Sequence, residues 1–300
     1  KGGWTTAGDV IAKIDPKTAH YASGPSLGSS LIQAIDQARA LIEGKILFRR
    51  DRTRLDMPQA DVEIDLDVEN IAGHMYLIGF RKVIYQQGKH LNWNFVPFYT
   101  WEGTEEAEAS TFVAAWTWLV SEVFGAQRAG KSVRVYVYSH HEASIFRSTA
   151  EKYQDWPQMP TPEQVDAFTH SDVWCDLYAL IKEQLVFPAK SYSIKDLISP
   201  EEWEDEAPGG GNSVAWYMAL RQAVIDNDLA KQKEIGDRIL AYNKDDVKVM
   251  RLLRERIWKA SKTRGDGRII VPSSLDAKYK PQRRLRVRSS RFAAQQQLPV

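Results

Sequence analysis

The chain has 300 residues, with 40 Lys and Arg against 39 Asp and Glu and a formal net charge of +1 at pH 7. This balance excludes binding of nucleic acid through whole-chain positive charge, so such contacts must come from local basic patches. The hydrophobic fraction of 43% excludes a wholly disordered chain, and a single cysteine excludes a disulfide framework and a cysteine-rich zinc site. No apolar run approaches the roughly 20 residues of a membrane span, so we expect a cytoplasmic protein without a membrane partner.

Three segments of the chain differ in composition. We expect residues 1–58 to be a helical lead-in with a partly flexible start and residues 59–260 to form an α/β domain. From Lys259 to Arg291 there are 11 Lys and Arg against two acids, so we expect residues 261–300 to be a basic, extended tail. Such a tail binds phosphate backbones without reading sequence. Its candidate nucleic-acid-binding residues are Arg283, Arg284, Arg286 and Arg288.

The middle segment alternates between strand and helix patterns in a defined order. Strict alternation predicts a strand at Val62–Val68, and β-branched and aromatic residues predict two more, which form a meander with it. A helix, a further strand and several helices follow, the third of them with Ser213 as its predicted N-cap. This is the chain order of a ribonuclease H-like α/β fold, a mixed sheet of antiparallel and parallel strands flanked by helices. The later predicted elements are Met75–Tyr85, Trp93–Trp101, Glu105–Phe124, Val133–Tyr138, Asp176–Leu185, Ser213–Ile225 and Leu229–Lys259.

Acidic residues alternate with apolar ones along the first predicted strand. Because side chains alternate across a strand, the acids share one face and the apolar residues share the other. Like charges on one face repel, and this strand carries no cation to offset them. The face is therefore either a solvated outer surface or a place where a divalent cation relieves the repulsion, since hard cations take carboxylate oxygens. The acidic positions are Asp61, Glu63, Asp65, Asp67 and Glu69.

Two later segments carry acids at positions suited to a shared metal site. Glu142 follows the strand Val133–Tyr138 and opens a helix, so it lies at the carboxyl end of a strand, where sites on α/β sheets form. The same position also suits a glutamate that merely favours the helix dipole. In the last long helix, Tyr242 and Asp246 are four residues apart and share one face.

Four nearby residues are left outside the predicted site. His140 and His141 offer a zinc alternative, which we disfavour because adjacent histidines at a strand end point in opposite directions. Asp176 either contacts substrate or caps a helix, and we favour the cap. We expect Asp245 to point away from the face that Tyr242 and Asp246 share, so its replacement should have almost no effect on activity.

The order of these motifs resembles the DEDDy group of 3′–5′ exonucleases. The motifs are Leu66-Asp67-Val68-Glu69, Glu142 at a strand–helix junction, and Tyr242-x-x-x-Asp246. The chain looks most like the exonuclease domain found in bacterial proteins beside RecB-like nuclease or helicase domains. One departure is Glu142, because most such exonucleases have an Asp preceded by Asn at this motif.

The resemblance implies a two-metal hydrolysis of phosphodiester bonds by a 3′–5′ exonuclease acting on DNA, with a role in DNA repair. Two Mg²⁺ or Mn²⁺ ions are the implied cofactors, since all the ligands are oxygens. Asp67, Glu69, Glu142 and Asp246 would hold the ions, and Tyr242 would orient the attacking water.

Two residues are added to this implied site, and one rival function remains. Asp65 shares the acidic face and is an additional candidate ligand, whereas Lys195 is either a phosphate contact or an ordinary surface lysine. The rival is an inactive ribonuclease H-like domain that binds nucleic acid or scaffolds a larger helicase–nuclease protein. Acids in all three motifs favour the enzyme. DNA, more than RNA, and further domains or subunits of a helicase–nuclease assembly are the expected partners.

Overall fold

The structure is a computed structural model that describes residues 25–49, 54–86, 89–199, 202–204, 210–262 and 269–270. Its elements alternate between strands and helices along most of the chain. In chain order they are α1 (Pro25–Glu43), β1 (Ile46–Phe48), β2 (Val62–Ile71), β3 (His74–Gln86), β4 (Lys89–Tyr99), α2 (Glu105–Arg128), β5 (Val133–Val137), α3 (His141–Lys152), α4 (Pro162–Thr169), β6 (Trp174–Asp176), α5 (Leu177–Gln184), β7 (Leu185–Val186), α6 (Ile194–Leu197), α7 (Gly210–Ile225), α8 (Leu229–Lys262) and β8 (Ile269–Ile270).

The main sheet has five strands in the order β4-β3-β2-β5-β6. β2, β3 and β4 form an antiparallel meander, and β5 and β6 add parallel strands on the other side of β2. This mixed sheet flanked by helices confirms the predicted α/β fold class and is compatible with a ribonuclease H-like arrangement. β2 lies in the middle of the sheet, so its acidic face is flanked by elements on both sides.

Helices cover the two faces of the sheet differently. The apolar side of β2, including Ile64 and Leu66, packs with Phe112 and Leu119 of α2 in one buried cluster. The acidic side of β2 lies under α8, the 34-residue helix whose Arg254 reaches it. The apolar residues of β2 thus face the apolar side chains of α2, and its acidic residues face α8, which carries Arg254.

Several element boundaries differ from those predicted. α7 begins at Gly210 rather than at Ser213, which lies inside the helix and is not its N-cap. The predicted helix at Asp176–Leu185 begins at Leu177, and Asp176 ends a three-residue strand, β6, that the sequence did not predict. Three residues are too few for a period-two pattern to be distinguished from chance.

A second, small sheet joins the described parts of the predicted lead-in and tail. β1 pairs antiparallel with β7 and parallel with β8. Ile46 and Phe48 of β1 are buried in the same apolar cluster as Leu253 and Ile257 of α8. β1 therefore packs onto the α/β domain. Among the residues described, no helix has both the length and the apolar character needed to cross a bilayer.

Candidate metal centre

The acidic face of β2 divides into two parts with different partners. In the first part, Arg254 of α8 donates to Glu63 Oε2 at 3.0 Å and to both carboxylate oxygens of Asp65. Arg81 of β3 also donates to Asp65 Oδ2, at 3.3 Å. All four side chains are buried, and the Arg254 guanidinium lies 3.7 Å from the centroid of the Tyr136 ring. The cations missing from the strand are thus supplied by other elements.

Asp65, the additional candidate ligand, is therefore held in ion pairs with Arg254 and Arg81. Both of its oxygens accept hydrogen bonds from guanidinium groups, and its side chain is completely buried. Removing one partner of such a buried ion pair leaves an uncompensated charge, which costs about 3–5 kcal/mol. Asp65 therefore fixes α8 on the sheet and is not one of the acids free to hold a metal.

The second part of the face forms a group that could hold a metal ion. Asp67 and Glu69 of β2 and Asp246 of α8 each offer one carboxylate oxygen, and these three oxygens lie within 4.8 Å of one another. Glu69 is buried, while Asp67 and Asp246 keep part of their surface exposed. The register of β2 and the docking of α8 together bring these acids to one place.

Glu142 is the fourth predicted acid, and it lies in the first turn of α3 at the end of β5. Its side chain is only 4% exposed, and its Oε2 has no hydrogen-bond partner among the described residues. Its charge raises the pKa of Asp67, so the two carboxyl groups interact. A buried carboxylate oxygen without a partner is costly unless a cation or a proton satisfies it.

All four carboxyl groups hold their protons more tightly than usual. Burial and then the charge of Asp246 raise the pKa of Glu69 to about 7, and burial raises the pKa of Glu142 to about 8. Burial raises the pKa values of Asp67 and Asp246 as well, and the other three acids of the group add to the increase at Asp67. Such mutual repulsion is what a divalent cation would offset.

Four residues outside the predicted set hold these carboxylates in place. Ser213 Oγ donates to Glu69 Oε2 at 2.8 Å, and the Tyr76 hydroxyl lies 3.4 Å from the same oxygen. Asn243 Nδ2 donates to Asp67 Oδ2, and Trp203 Nε1 donates to Asp246 Oδ1, both at 2.7 Å. Each donor satisfies an oxygen of one acid, which fixes the orientation of that carboxylate.

Tyr242 and Lys195 meet at the edge of this group. The Lys195 ammonium hydrogen-bonds to the Tyr242 hydroxyl and lies 5.0 Å from the centroid of its ring. Burial and then the charge of Asp246 raise the pKa of Tyr242, so its phenol stays protonated, while the charge of Lys195 lowers the pKa of Asp246. The sequence had left Lys195 as a phosphate contact or a surface lysine, and the structure brings it to the acids.

The residues left outside the site have other contacts. Asp176 caps α5 by accepting from Ala179 N at 2.9 Å, which confirms the favoured interpretation. Asp245 is directed away from the metal-capable group, but it is 3% exposed and accepts from Glu204 N at 2.7 Å. Because Asp245 is buried and hydrogen-bonded, it is a poor choice for a replacement meant to leave the protein unchanged. Arg283, Arg284, Arg286 and Arg288 lie outside the described residues.

No protein-family model, curated protein or solved structure matches this chain. The donor set is all carboxylate, one buried oxygen of Glu142 has no partner among the described residues, and the acids repel one another. These properties fit a hard divalent cation such as Mg²⁺ or Mn²⁺.

Proposed function

We propose that the chain is a metal-dependent phosphodiesterase that removes nucleotides from the 3′ end of DNA. The observation that carries the proposal is the convergence of Asp67, Glu69 and Asp246, from two distant parts of the chain, within 4.8 Å. Structural acids are usually paired with cations, as Glu63 and Asp65 are on the same strand. The second part of the face instead gathers carboxylates that form no ion pair with any residue that the structure describes.

The proposed cofactors are two Mg²⁺ or Mn²⁺ ions held by Asp67, Glu69, Glu142 and Asp246. Bound divalent ions supply Lewis-acid stabilisation of the charge that develops on a phosphodiester during hydrolysis. The unpartnered oxygen of Glu142 and the carboxylates of the other three acids are the ligands available for this purpose.

The remaining side chains of the site would orient the substrate and the water. Tyr242 keeps its proton, so its neutral hydroxyl can donate a hydrogen bond to a water molecule or accept one from it. Lys195 places an ammonium group beside that hydroxyl, where it can pair with a phosphate oxygen. Asn243, Ser213 and Trp203 hold three of the carboxylates in fixed orientations.

The decisive experiment uses a 5′-labelled single-stranded DNA oligonucleotide with Mg²⁺, with Mn²⁺ and with EDTA. A 3′–5′ exonuclease gives a ladder of progressively shorter labelled products that disappears in EDTA. Asp172→Asn is the matched control, because Asp172 is exposed and precedes the amino end of β6, at the opposite edge of the sheet from Glu142. The same assay on an RNA oligonucleotide tests the preference for DNA.

Two outcomes would overturn the proposal. A chain that binds DNA but never cleaves it, with either metal, is the inactive binding domain. Cleavage that is equal in EDTA would exclude metal-dependent hydrolysis. The proposed setting, as a domain or subunit of a helicase–nuclease assembly, is tested separately by co-purification of the full chain from its own cells.

A further inference from the structure

The acidic face of the sheet continues onto a row of apolar side chains on the edge strand β4. In the register of the meander, Asp67 is opposite Gly79, and Gly79 is opposite Pro97 of the edge strand β4. From Trp93 to the end of β4, beyond the register shift at Ile84/Tyr85, the odd-numbered residues therefore lie on the same face as the acids. They are Trp93, Phe95, Pro97 and Tyr99.

The two faces of β4 are covered to different extents. Val96 and Phe98, on the other face, pack against the buried cluster under α2. On the acidic face, Trp93 is 39% exposed and Tyr99 44%, while Phe95 and Pro97 between them are partly buried. Two large aromatic side chains are therefore accessible to a ligand on the face that carries the acids.

Positive charge lies beside the Trp93 end of the row, which is level with Glu63 in the register of the sheet. The Lys244 ammonium lies 5.8 Å from the centroid of the Trp93 ring, and the Arg81 guanidinium lies 5.1 Å from it. Lys244 is exposed and follows Asn243, the residue that donates to Asp67. One turn of α8 thus connects the metal-capable group with Trp93.

We propose that Trp93 and Tyr99 form a stacking surface for the bases of single-stranded nucleic acid, with Lys244 as its phosphate contact. The two rings are six residues apart on one strand, or about 20 Å. Aromatic rings bind bases of any sequence, and an ammonium beside them pairs with the backbone. This inference rests on the proposed function for its choice of ligand, because the row adjoins the acids proposed to cleave phosphodiesters.

The binding test is made in EDTA, so that it does not depend on catalysis. The probe is fluorescently labelled oligo-dT of 12 nucleotides, followed by anisotropy with the full chain at several salt concentrations. Trp93→Ala and Tyr99→Ala should each weaken binding about tenfold, corresponding to about 1.4 kcal/mol per lost stacking contact, with an unchanged salt dependence. Lys244→Gln should instead lower the slope of log affinity against log salt by about 0.7.

Two control variants test whether a loss of binding is specific to the stacking surface or follows the loss of any exposed aromatic side chain. Phe124→Ala removes an exposed aromatic side chain of α2, 52% exposed, and should leave binding unchanged. Trp93→Phe should retain most of the affinity, because it keeps an aromatic face. Thermal unfolding of every variant shows whether a loss of binding reflects a loss of fold.

The outcomes distinguish this inference from the proposed hydrolysis. Weaker oligo-dT binding by Trp93→Ala supports the stacking surface even if no cleavage is found with Mg²⁺ or Mn²⁺. Unchanged affinity in both alanine variants overturns it even if the wild-type chain is an active nuclease. If the wild-type chain is a dimer in light scattering and Trp93→Ala is a monomer, the row is a contact between copies of this chain, which also overturns it.

Discussion

The side-chain amide of Asn243 donates a hydrogen bond to Oδ2 of Asp67 at 2.7 Å, and it lies in space left by the missing side chain of residue 79. A Cβ atom on Gly79 would be 1.7 Å from Asn243 Oδ1. Asn243 is fully buried, so it has no room to move aside. A glycine on β3 is therefore required for the amide of α8 to reach the acid on β2.

Gly79→Ala should destabilise the protein by about 1–3 kcal/mol, because the methyl group forces Asn243 out of a packed position. It should also weaken the binding of Mn²⁺, since Asp67 loses the donor that orients it. Gly125→Ala is the matched control, because nothing lies within 4 Å of a Cβ at that helical position. Denaturant unfolding and Mn²⁺ titration of both variants test this, and equal stability of the two would contradict the steric argument.

Asp67→Asn should abolish the binding of Mn²⁺ and the metal-dependent cleavage, while the metal-free protein keeps or slightly gains stability. The charges of Asp246, Glu69 and Glu142 all act unfavourably on the Asp67 carboxylate, so its neutralisation relieves repulsion in the metal-free protein. Calorimetric titration with Mn²⁺ and thermal unfolding in EDTA measure the two effects. A marked loss of stability in EDTA would show that Asp67 has a structural role instead.

The stability of the metal-free protein should fall as pH rises from about 5 to 8. Glu69 and Glu142 have folded-state pKa values of about 7 and about 8, above their usual 4.5, so the folded state binds more protons than the unfolded state in this range. The free energy of unfolding therefore decreases with pH there. Melting temperatures in EDTA at pH 5, 6.5 and 8 check this, and saturating Mn²⁺ should remove most of the decrease.

Glu108 provides an internal comparison with the opposite sign. It accepts hydrogen bonds from His74, Tyr153 and the backbone N–H of Met75, and these, with a further one from Lys152, hold its pKa at about 2. Its stabilising contribution is complete above pH 4.5 and is lost as the pH falls towards 2. Glu108 does not change the stability between pH 5 and 8. A melting temperature that stays constant over that range would therefore contradict the raised pKa values of Glu69 and Glu142 without bearing on Glu108.

Tyr242→Phe should lower kcat by about 10- to 100-fold with little change in KM, because the hydroxyl is proposed to orient water and not to bind substrate. The ring itself packs at 5.6 Å from that of Trp216, and phenylalanine preserves this contact. Steady-state kinetics with Mn²⁺ decide the matter. An unchanged kcat would make Tyr242 a packing residue.

Lys195→Gln should raise the affinity of the metal-free protein for Mn²⁺ by about three- to tenfold while it lowers cleavage. The pKa values of Asp67, Glu69 and Asp246 are raised overall, and the Lys195 ammonium offsets part of that increase. Its positive charge therefore competes electrostatically with an incoming cation. Lys195→Arg keeps the charge and should bind Mn²⁺ like the wild type. Equal Mn²⁺ affinity in all three proteins would exclude an electrostatic role for Lys195.

The amino-acid pattern predicted the acidic face of β2 but not its division into two parts. Alternation alone places Glu63, Asp65, Asp67 and Glu69 together. What distinguishes Asp65 from Asp67 is Arg254, which is 189 residues away from Asp65 in the chain. Local periodicity holds no information about a partner at that separation.

The donors that orient the carboxylates were missed for a related reason. Ser213 follows a glycine-rich stretch, where serine ordinarily caps a helix, so the local pattern favoured a cap over a bond to Glu69. Asn243 lies beside Tyr242 in a recognised motif, and Gly79 is a glycine inside a strand, a sign of close approach by another element. Those two signals were present in the sequence but could be connected only in three dimensions.

The ion pairs of Arg254 also determine when the site can form during folding. Glu63 and Asp65 lie near the start of the α/β domain, whereas Arg254 lies in its last long helix, 191 residues after Glu63. Contacts of such sequence separation form late, since a long loop must close before they are made. Asp246 is carried by the same helix, so the acids converge only after nearly the whole domain has left the ribosome and α8 has docked. A nascent chain of this protein is therefore unable to assemble its proposed metal site until synthesis of the domain is almost complete.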